Sequence, residues 1–271
     1  IRVHLNLKNE FGELQDIFNQ MAQRIGEETL MRKQLEDDRR QMILDLSHDL
    51  KNPLACVAGY ADLCLEKPDL PVSERMNYLR IIRSNSRRAA DLLGGLFELS
   101  RMEAPGFELK LIPEDLTEIL REILSRILPE LEQAGFGYWF SIPETPVYAR
   151  LDAFQFGRVI HNLAENSIRY NGPGTSIRVE VWQEVNRILV RFGDDGTGIP
   201  PEMAEKVFRP FARLDPARSS STGGSGLGLS IARKIILAHG GELHLEESGS
   251  GGCTFLISLP GAFPGEDNEP Q

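Results

Sequence analysis

The chain has 271 residues, of which 41% are hydrophobic and 26% charged, and this composition predicts an ordinary soluble globular protein of about two domains. The formal net charge of −10 argues against nucleic acid as the main partner, because phosphate binding needs a basic face. The three cysteines include no CxxC pair, which favours free thiols in a reducing compartment and excludes a structural zinc site.

The sequence contains no apolar run near the roughly 18 residues that a membrane span needs. The first residue is Ile1 rather than Met, so we expect the chain to be a fragment of a longer protein. Within residues 1–29, Leu14, Ile17, Met21 and Ile25 recur at helical spacing. This segment resembles the second helix of a HAMP signal-relay module, and a generic amphipathic helix is the alternative.

A long helix with one apolar face is predicted between residues 30 and 66. Leu46, Leu50 and Leu54 lie on that face. Pro53 removes a backbone donor inside the run, and we expect it to kink the helix.

A second helix is predicted from Ser73, the candidate N-cap, to about Met102. Its apolar residues alternate spacings of three and four, as they do along the seam of a helix bundle. Two helices joined by a short loop form a hairpin, and one hairpin alone exposes its apolar stripe. We therefore expect a homodimer in which residues 30–102 of two copies form a four-helix bundle.

From residue 105 onward the chain alternates helical and extended patterns. Helices are predicted at 116–134, 152–170 and 226–239, and strands at 136–141, 147–150, 176–184, 187–194, 242–247 and 253–259. A mixed sheet with helices on one face, an α/β sandwich, fits this order. The predicted organisation is a relay helix at 1–29, the hairpin domain at 30–104, the sandwich domain at 105–260 and a disordered tail at 261–271.

His48 is the candidate nucleophile of the hairpin domain, with Asp49 beside it and Asn52 one helical turn further on. An imidazole attacks phosphorus only when one ring nitrogen has a free lone pair and the other is held as a donor. The Asp49 carboxylate can accept that proton, and the Asn52 amide can hold a water molecule near phosphorus. The alternative is a set of surface polar residues with no function.

Asn162 and Asn166 are four residues apart and share one face of the predicted helix at 152–170. Amide oxygens are hard ligands that suit Mg²⁺, which needs only one or two protein ligands beside phosphates and water. Arg169 supplies positive charge for phosphate, and the Tyr170 ring can pack against a base or a ribose. Two polar amides on a helix surface are the alternative.

Two glycine-rich loops follow. The run from Asp194 to Pro200 comes directly after a predicted strand, and its glycines allow close approach of the backbone to a ligand. The run from Gly224 to Ser230 opens a predicted helix, whose first N–H groups favour phosphate. Neither a dinucleotide fingerprint nor a P-loop fits these runs, and the motifs of Ser/Thr/Tyr kinases are missing from the sequence.

In chain order, the His48 motif, the Asn162 and Asn166 motif, the first glycine-rich loop, the phenylalanine-rich stretch at 208–213 and the second glycine-rich loop resemble the motifs of bacterial two-component sensor histidine kinases. The resemblance covers residues 11 to about 260. It implies a Bergerat-type ATP-binding fold, ATP-dependent autophosphorylation of His48, and phosphoryl transfer to an Asp of a response regulator. It further implies Mg²⁺ as a second cofactor, a phosphatase activity on that regulator, and a cytoplasmic position, with membrane attachment only through N-terminal segments that this sequence lacks.

The resemblance also implies roles for individual residues. Asn166 is the implied metal ligand with Asn162 as its helper, and Asp194 is the implied acceptor for the adenine amine. Ser167 stands where the family usually has Ala. The remaining implied nucleotide contacts are Arg169, Tyr170, Gly196, Gly198, Ile199, Arg213, Gly224, Gly226, Leu227, Gly228, Leu229 and Ser230, with a mobile lid at 214–223.

Two rival functions come from other classes. An ATPase clamp of the gyrase or Hsp90 type shares the nucleotide fold by resemblance, but it lacks a His-bearing hairpin such as residues 30–102. A catalytically inactive dimeric signalling scaffold is the second rival. The presence of His48, Asn166 and Asp194 argues against it.

Overall fold

The computed structural model describes residues 10–67, 69–104, 106–212, 226–249 and 251–261. The chain forms two compact units, residues 1–52 and 53–271. The domain boundaries predicted at 29/30 and 104/105 stay a prediction. The HAMP-like character of residues 1–29 also stays a prediction, since residues 1–9 lie outside the described range.

Helix α1 spans Glu10–Glu66 and continues through Pro53, and helix α2 spans Val72–Glu103. The two predicted helices are thereby confirmed, whereas the predicted N-cap is wrong. Helix α2 begins at Val72 because Pro71 occupies the capping position with φ −52°, so Ser73 lies inside the first turn. The kink expected at Pro53 remains a prediction.

Five strands form the large sheet of the second unit. In chain order the strands and helices after α2 are β1 Ile112–Asp115, α3 Leu116–Ala134, β2 Gly137–Ser141, β3 Tyr148–Leu151, α4 Ala153–Tyr170, β4 Ser176–Glu184, β5 Arg187–Asp194, α5 Gly228–Ala238, β6 Glu242–Gly249 and β7 Gly252–Pro260. The strand order is β2-β4-β5-β7-β6, with β2 parallel to β4 and the other pairs antiparallel. The predicted α/β sandwich is confirmed.

The short strand β1 was missed by sequence reasoning. It pairs antiparallel with β3 in a separate two-stranded sheet. Its four residues include Pro113 and two acidic residues, so they carry no alternation of apolar and polar positions.

The register of the large sheet places the end of β5 beside the start of β7. Asp194 pairs with Ile177 of β4 on one side and with Cys253 of β7 on the other. The last residue of β5 therefore lies between two neighbouring strands, under the C-terminal part of α4.

Helix α4 buries one face against the sheet and presents the opposite face to a cleft. Its buried side chains are Gln155, Phe156, Val159, Ile160, Leu163, Ala164 and Ser167. The Asp152 side chain caps the helix by accepting from the N–H of Gln155 at 3.1 Å. Because Asn162 and Asn166 fall between the buried positions, the core packing of α4 fixes where these two amides lie.

His239 connects the end of α5 to the start of α4. Its Nδ1 lies 2.7 Å from the carbonyl oxygen of Ile235, and its Nε2 accepts from the N–H of Asp152 at 3.0 Å. These two contacts define a neutral ring with the proton on Nδ1. Burial lowers the pKa of His239, in keeping with that neutral form.

Within the described part of the chain, none of the helices is both long enough and apolar enough to cross a membrane. The predicted lid at 214–223 and the predicted tail beyond Gly261 lie outside the described residues.

Candidate functional site

The His48 side chain is 76% exposed on α1, and its Nδ1 lies 3.4 Å from Oδ1 of Asp49, whose side chain is only 20% exposed. Asn52 is exposed one turn further along the same helix. If Nδ1 carries the proton toward Asp49, the lone pair resides on Nε2. The three predicted catalytic residues thus share one helix face with an accessible imidazole.

A cleft of about 390 Å³ lies along α4 in the second unit. It collects eight of the predicted nucleotide-binding residues: Asn162, Asn166, Arg169, Tyr170, Gly226, Leu227, Gly228 and Leu229. Arg169 forms an ion pair with Glu165, which also lines the cleft. Ser230 is buried, and its hydroxyl donates to the carbonyl of Leu227 within the first turn of α5.

Helix α2 forms the opposite wall of this cleft, which sequence reasoning did not anticipate. Asp91, Gly95 and Glu98 line it. Gly95 allows the close approach, because a Cβ there would lie 2.6 Å from Cδ1 of Leu227. Ion pairs from Glu98 to Arg158 and from Glu103 to Lys234 flank the contact.

The two ends of the segment between the phenylalanine-rich stretch and α5 are joined by a backbone hydrogen bond. The N–H of Phe211 donates to the carbonyl of Gly226 at 2.9 Å. Gly226 has φ +69°, and a Cβ there would lie 2.9 Å from Cα of Phe211, so this position needs glycine. Arg213 and Gly224, both predicted nucleotide contacts, lie outside the described residues.

Asp194 is only 6% exposed and accepts four hydrogen bonds. Oδ1 accepts from Nδ2 of Asn171 at 3.2 Å and from the N–H of Gly196 at 3.0 Å. Oδ2 accepts from the Ser167 hydroxyl at 2.6 Å and from the Cys253 thiol at 3.3 Å. Burial and the neighbouring Asp194 carboxylate raise the pKa of the Cys253 thiol, so the sulfur keeps its proton and donates.

Glycines next to Asp194 make room for this network. A Cβ on Gly196 would lie 2.0 Å from Oδ1 of Asn171, and a Cβ on Gly252 would lie 1.8 Å from the carbonyl oxygen of Asp194. Gly198 adopts φ +72° in the same loop, and Ile199 is buried. Gly196, Gly198 and Ile199 therefore belong to the loop that follows Asp194 at the end of β5, and Ser167 links Asp194 to α4.

The groups in the cleft that could bind a metal ion are side-chain amides. Asn162 and Asn166 are half-buried cleft residues, and the Asn162 amide lies beside Gly228, where a Cβ would be 3.7 Å from it. Among the described residues, no group of three or more His, Cys, Asp or Glu side chains is placed to hold a metal ion. A divalent cation here would take oxygen ligands from the two amides and from a bound phosphate.

Comparisons with known proteins match two parts of the chain to protein families. Residues 151–262 match the family described as histidine kinase-, DNA gyrase B- and HSP90-like ATPase, and residues 38–105 match the His Kinase A (phospho-acceptor) domain. The chain is 31% identical to the sensor protein VanSC of Enterococcus gallinarum over 256 residues, which cover 94% of this chain and 70% of that protein. It is 27% identical to the sensor histidine kinase YcbM of Bacillus subtilis over 83% of this chain and 72% of that protein.

Two solved structures share the fold. The histidine kinase AdeS of Acinetobacter baumannii superposes with a TM-score of 0.63 at 22% identity, over 79% of this chain and 97% of that chain. The histidine kinase ThkA, solved in complex with the response regulator protein TrrA, gives a TM-score of 0.70 at 24% identity, over 87% of this chain and 66% of that chain.

The chain belongs to the sensor histidine kinase family, and it is a protein-histidine kinase with an ATP-binding domain. The match of residues 38–105 to the phospho-acceptor domain argues against a gyrase-type or Hsp90-type ATPase clamp.

Proposed function

We propose that His48 is the residue that ATP phosphorylates. The observation that supports this most directly is the pairing of an exposed imidazole with the carboxylate of Asp49 at 3.4 Å. Nε2 attacks the γ-phosphorus of ATP, an N–P bond forms, and the bond from that phosphorus to the bridging oxygen breaks to release ADP. Asp49 holds the proton on Nδ1 and stabilises the positive charge that develops on the ring.

We propose that the cleft along α4 holds the phosphates and Mg²⁺. Asn166 is the proposed metal ligand and Asn162 its neighbour, because both offer neutral oxygen ligands on the same wall of the cleft. The cation neutralises phosphate charge when bound. Arg169 adds a fixed positive charge to the wall, and its present partner Glu165 must yield to phosphate for Arg169 to bind it.

We propose that the adenine base binds at Asp194. A buried, ionised carboxylate accepts hydrogen bonds only, so it favours a base with an amine at the facing position. Tyr170, 41% exposed at the end of α4, supplies an aromatic surface on the wall of the cleft.

The partner that we propose is a response regulator whose Asp carboxylate takes the phosphoryl group from His48. The ThkA structure contains such a regulator, which supports this class of partner. The proposed phosphatase activity on the same regulator rests on Asn52, whose exposed amide can orient water but cannot accept a proton. Attachment of the chain to a membrane sensor is part of the proposal as well, and it rests on the family resemblance.

We propose a homodimer formed through residues 30–102. On α2, Leu93 is 51% exposed and Phe97 is 71% exposed in the single chain, and on α1, Leu54 is 50% exposed. Large apolar side chains that stay exposed along a helix favour burial against a second copy. Sedimentation analysis of Leu93→Glu tests this, since a dimer held through that face should dissociate and any other arrangement should not.

Labelling with ATP that is radioactive at the γ position tests the central proposal. His48→Gln should remove the acid-labile label while nucleotide binding is retained, because the nucleotide cleft contains no part of α1. His244→Gln, a substitution in strand β6, is the matched control and should retain the label. Acid-labile label on His48→Gln would assign the phosphoryl group to another residue.

A further inference from the structure

Four donors bind the carboxylate of Asp194 at the end of β5. Burying a carboxylate costs free energy unless its oxygens accept hydrogen bonds. Two of the donors to Asp194 are side chains: the hydroxyl of Ser167 on α4 and the amide of Asn171, the residue that follows α4. Ser167 is buried at 1% exposure and makes the shortest of the four contacts, at 2.6 Å. These donors fix the orientation of the carboxylate.

We infer that Ser167 and Asn171 are positioning residues that set the nucleotide-base specificity of this kinase by fixing the Asp194 carboxylate for the amine of adenine. The inference rests on the proposed adenine site at Asp194. It adds two residues that touch no substrate and act through the carboxylate alone.

The contacts of the amide oxygen of Asn171 determine how this amide is oriented. Its Oδ1 accepts from the N–H of Thr197 at 2.9 Å and from the Thr197 hydroxyl at 3.2 Å. The amide nitrogen must therefore point toward Asp194, because a flipped amide would set its N–H₂ group against the N–H of Thr197. Asn171 thus joins the end of α4 to the loop after β5, and its amide nitrogen donates to Oδ1 of Asp194.

The four contacts also indicate how adenine enters. An ionised carboxylate offers about four lone-pair positions, so the group is fully engaged before any base binds. The Cys253 thiol is the weakest donor of the four and the most distant, at 3.3 Å. An incoming amine replaces that thiol at Oδ2 at the smallest cost, while Ser167 and Asn171 hold the carboxylate in place.

Guanine would meet this carboxylate with a carbonyl oxygen instead of an amine. Acceptor then faces acceptor, and the donors on Ser167 and Asn171 keep the carboxylate from turning away. Loosening the carboxylate should therefore weaken ATP binding and relieve the repulsion of GTP.

The test is calorimetric titration of the full chain with non-hydrolysable analogues of ATP and of GTP. Asn171→Asp keeps the shape of the side chain and its contacts with Thr197 but replaces the donor by a negative charge next to Asp194. We expect about a tenfold or greater loss of ATP-analogue affinity and an equal or higher affinity for the GTP analogue. Ser167→Ala should act in the same direction by about tenfold or less.

Ser125→Ala on the exposed surface of α3 is the matched control, and both affinities should stay as they are in the unsubstituted chain. A purely structural role for Ser167 and Asn171 predicts that the two nucleotides weaken by the same factor. That outcome, or no change in either affinity, would overturn the inference.

Asp194→Asn separates this inference from the proposal on which it rests. Unchanged affinity for the ATP analogue in Asp194→Asn would remove the adenine site from Asp194. A large loss in Asp194→Asn, together with an unaltered preference for ATP over GTP in Asn171→Asp and Ser167→Ala, would overturn the positioning inference alone.

Discussion

The proposed phosphate acceptor and the proposed base-binding site of this kinase are built in opposite ways. His48 is 76% exposed and has one nearby partner, Asp49, on the same helix. Asp194 is 6% exposed, and four donors bind it. They lie on α4, on the residue that follows α4, in the loop after β5 and on strand β7. A nucleophile that must meet a nucleotide and then a second protein needs access. A group that selects one base needs a fixed orientation.

This comparison makes a general prediction about variants. Substitutions around His48 should change reaction rates without changing stability, because few packing contacts depend on those side chains. Substitutions around Asp194 should change binding and stability together, since the same hydrogen bonds and close contacts serve both.

The largest effect is expected at Asp49. Asp49→Asn removes the carboxylate that holds the Nδ1 proton of His48, and a positioned base contributes roughly 10²–10⁴-fold to a rate. Autophosphorylation should fall by that factor, measured as the initial rate of γ-phosphate incorporation. Dephosphorylation of the regulator should continue in part.

Asn52→Ala is the reciprocal variant on the same helix face. It should lose dephosphorylation of a purified phospho-regulator, assayed with ADP and Mg²⁺, and retain autophosphorylation. Asn52→Ala should melt within about 2 °C of the parent chain, as expected for an exposed side chain. If Asn52→Ala instead loses the kinase reaction and spares dephosphorylation, the assignment of the two activities is wrong.

Gly252→Ala should have the next largest effect, and this time on stability. Gly252 has φ +99°, and the added Cβ would lie 1.8 Å from the carbonyl oxygen of Asp194. Backbone strain and overpacking together should cost about 3 kcal/mol in the free energy of unfolding. Urea unfolding followed by the fluorescence of Trp139 and Trp182, which lie in strands β2 and β4, measures it.

The neighbouring glycine provides the control. A Cβ on Gly251 meets no described atom within 4 Å, so Gly251→Ala should change the unfolding free energy by less than about 0.5 kcal/mol. Equal effects at both positions would show that the close contact at Asp194 does not determine stability here.

Asp194→Asn should weaken ATP binding by roughly 10- to 100-fold, because it replaces a charged acceptor by an amide. Asp195→Asn is the adjacent control. The Asp195 carboxylate accepts from the N–H of Ser176 at 2.6 Å, a contact to strand β4 that an amide oxygen can also make. Its ATP affinity should stay near that of the parent chain, and a comparable loss in both variants would argue against a specific adenine contact at Asp194.

The sequence predicted most elements because their periodicity is strong. Apolar positions three and four apart marked α1 and α2, and alternating positions marked β4 and β5. The cleft residues Asn162 and Asn166 were predicted from their four-residue spacing on a helix together with the family resemblance. Periodicity could not predict hydrogen bonds between residues that are distant in the chain.

Residues that act through such partners were accordingly missed. Asn171 reaches Thr197, which is 26 residues away, and Cys253 reaches Asp194, which is 59 residues away. Ser167 was noted only as a replacement for Ala, although it makes the shortest contact to Asp194. A polar residue at a buried position of an amphipathic helix is a signal that could have identified Ser167, because such a residue needs a partner.

The smallest predicted effect concerns His239, which is buried at the end of α5. Burial lowers its pKa in the folded chain, whereas in the unfolded chain the ring has its ordinary pKa of about 6.5. Above that pH the ring is neutral in both states and contributes no pH dependence. As the pH falls below about 6.5, the unfolded chain takes up the proton first, so the free energy of unfolding decreases by up to about 1.4 kcal/mol per pH unit.

The decrease in the free energy of unfolding should stop once the pH is below the pKa that His239 has in the folded chain. Urea unfolding of the parent chain and of His239→Gln between pH 8 and pH 5, followed by tryptophan fluorescence, isolates this contribution as the difference between the two slopes. Since His239 ties α5 to the start of α4, the pH dependence belongs to the junction of these two helices, and identical slopes in the parent chain and His239→Gln would show that its neutral ring does not support that junction.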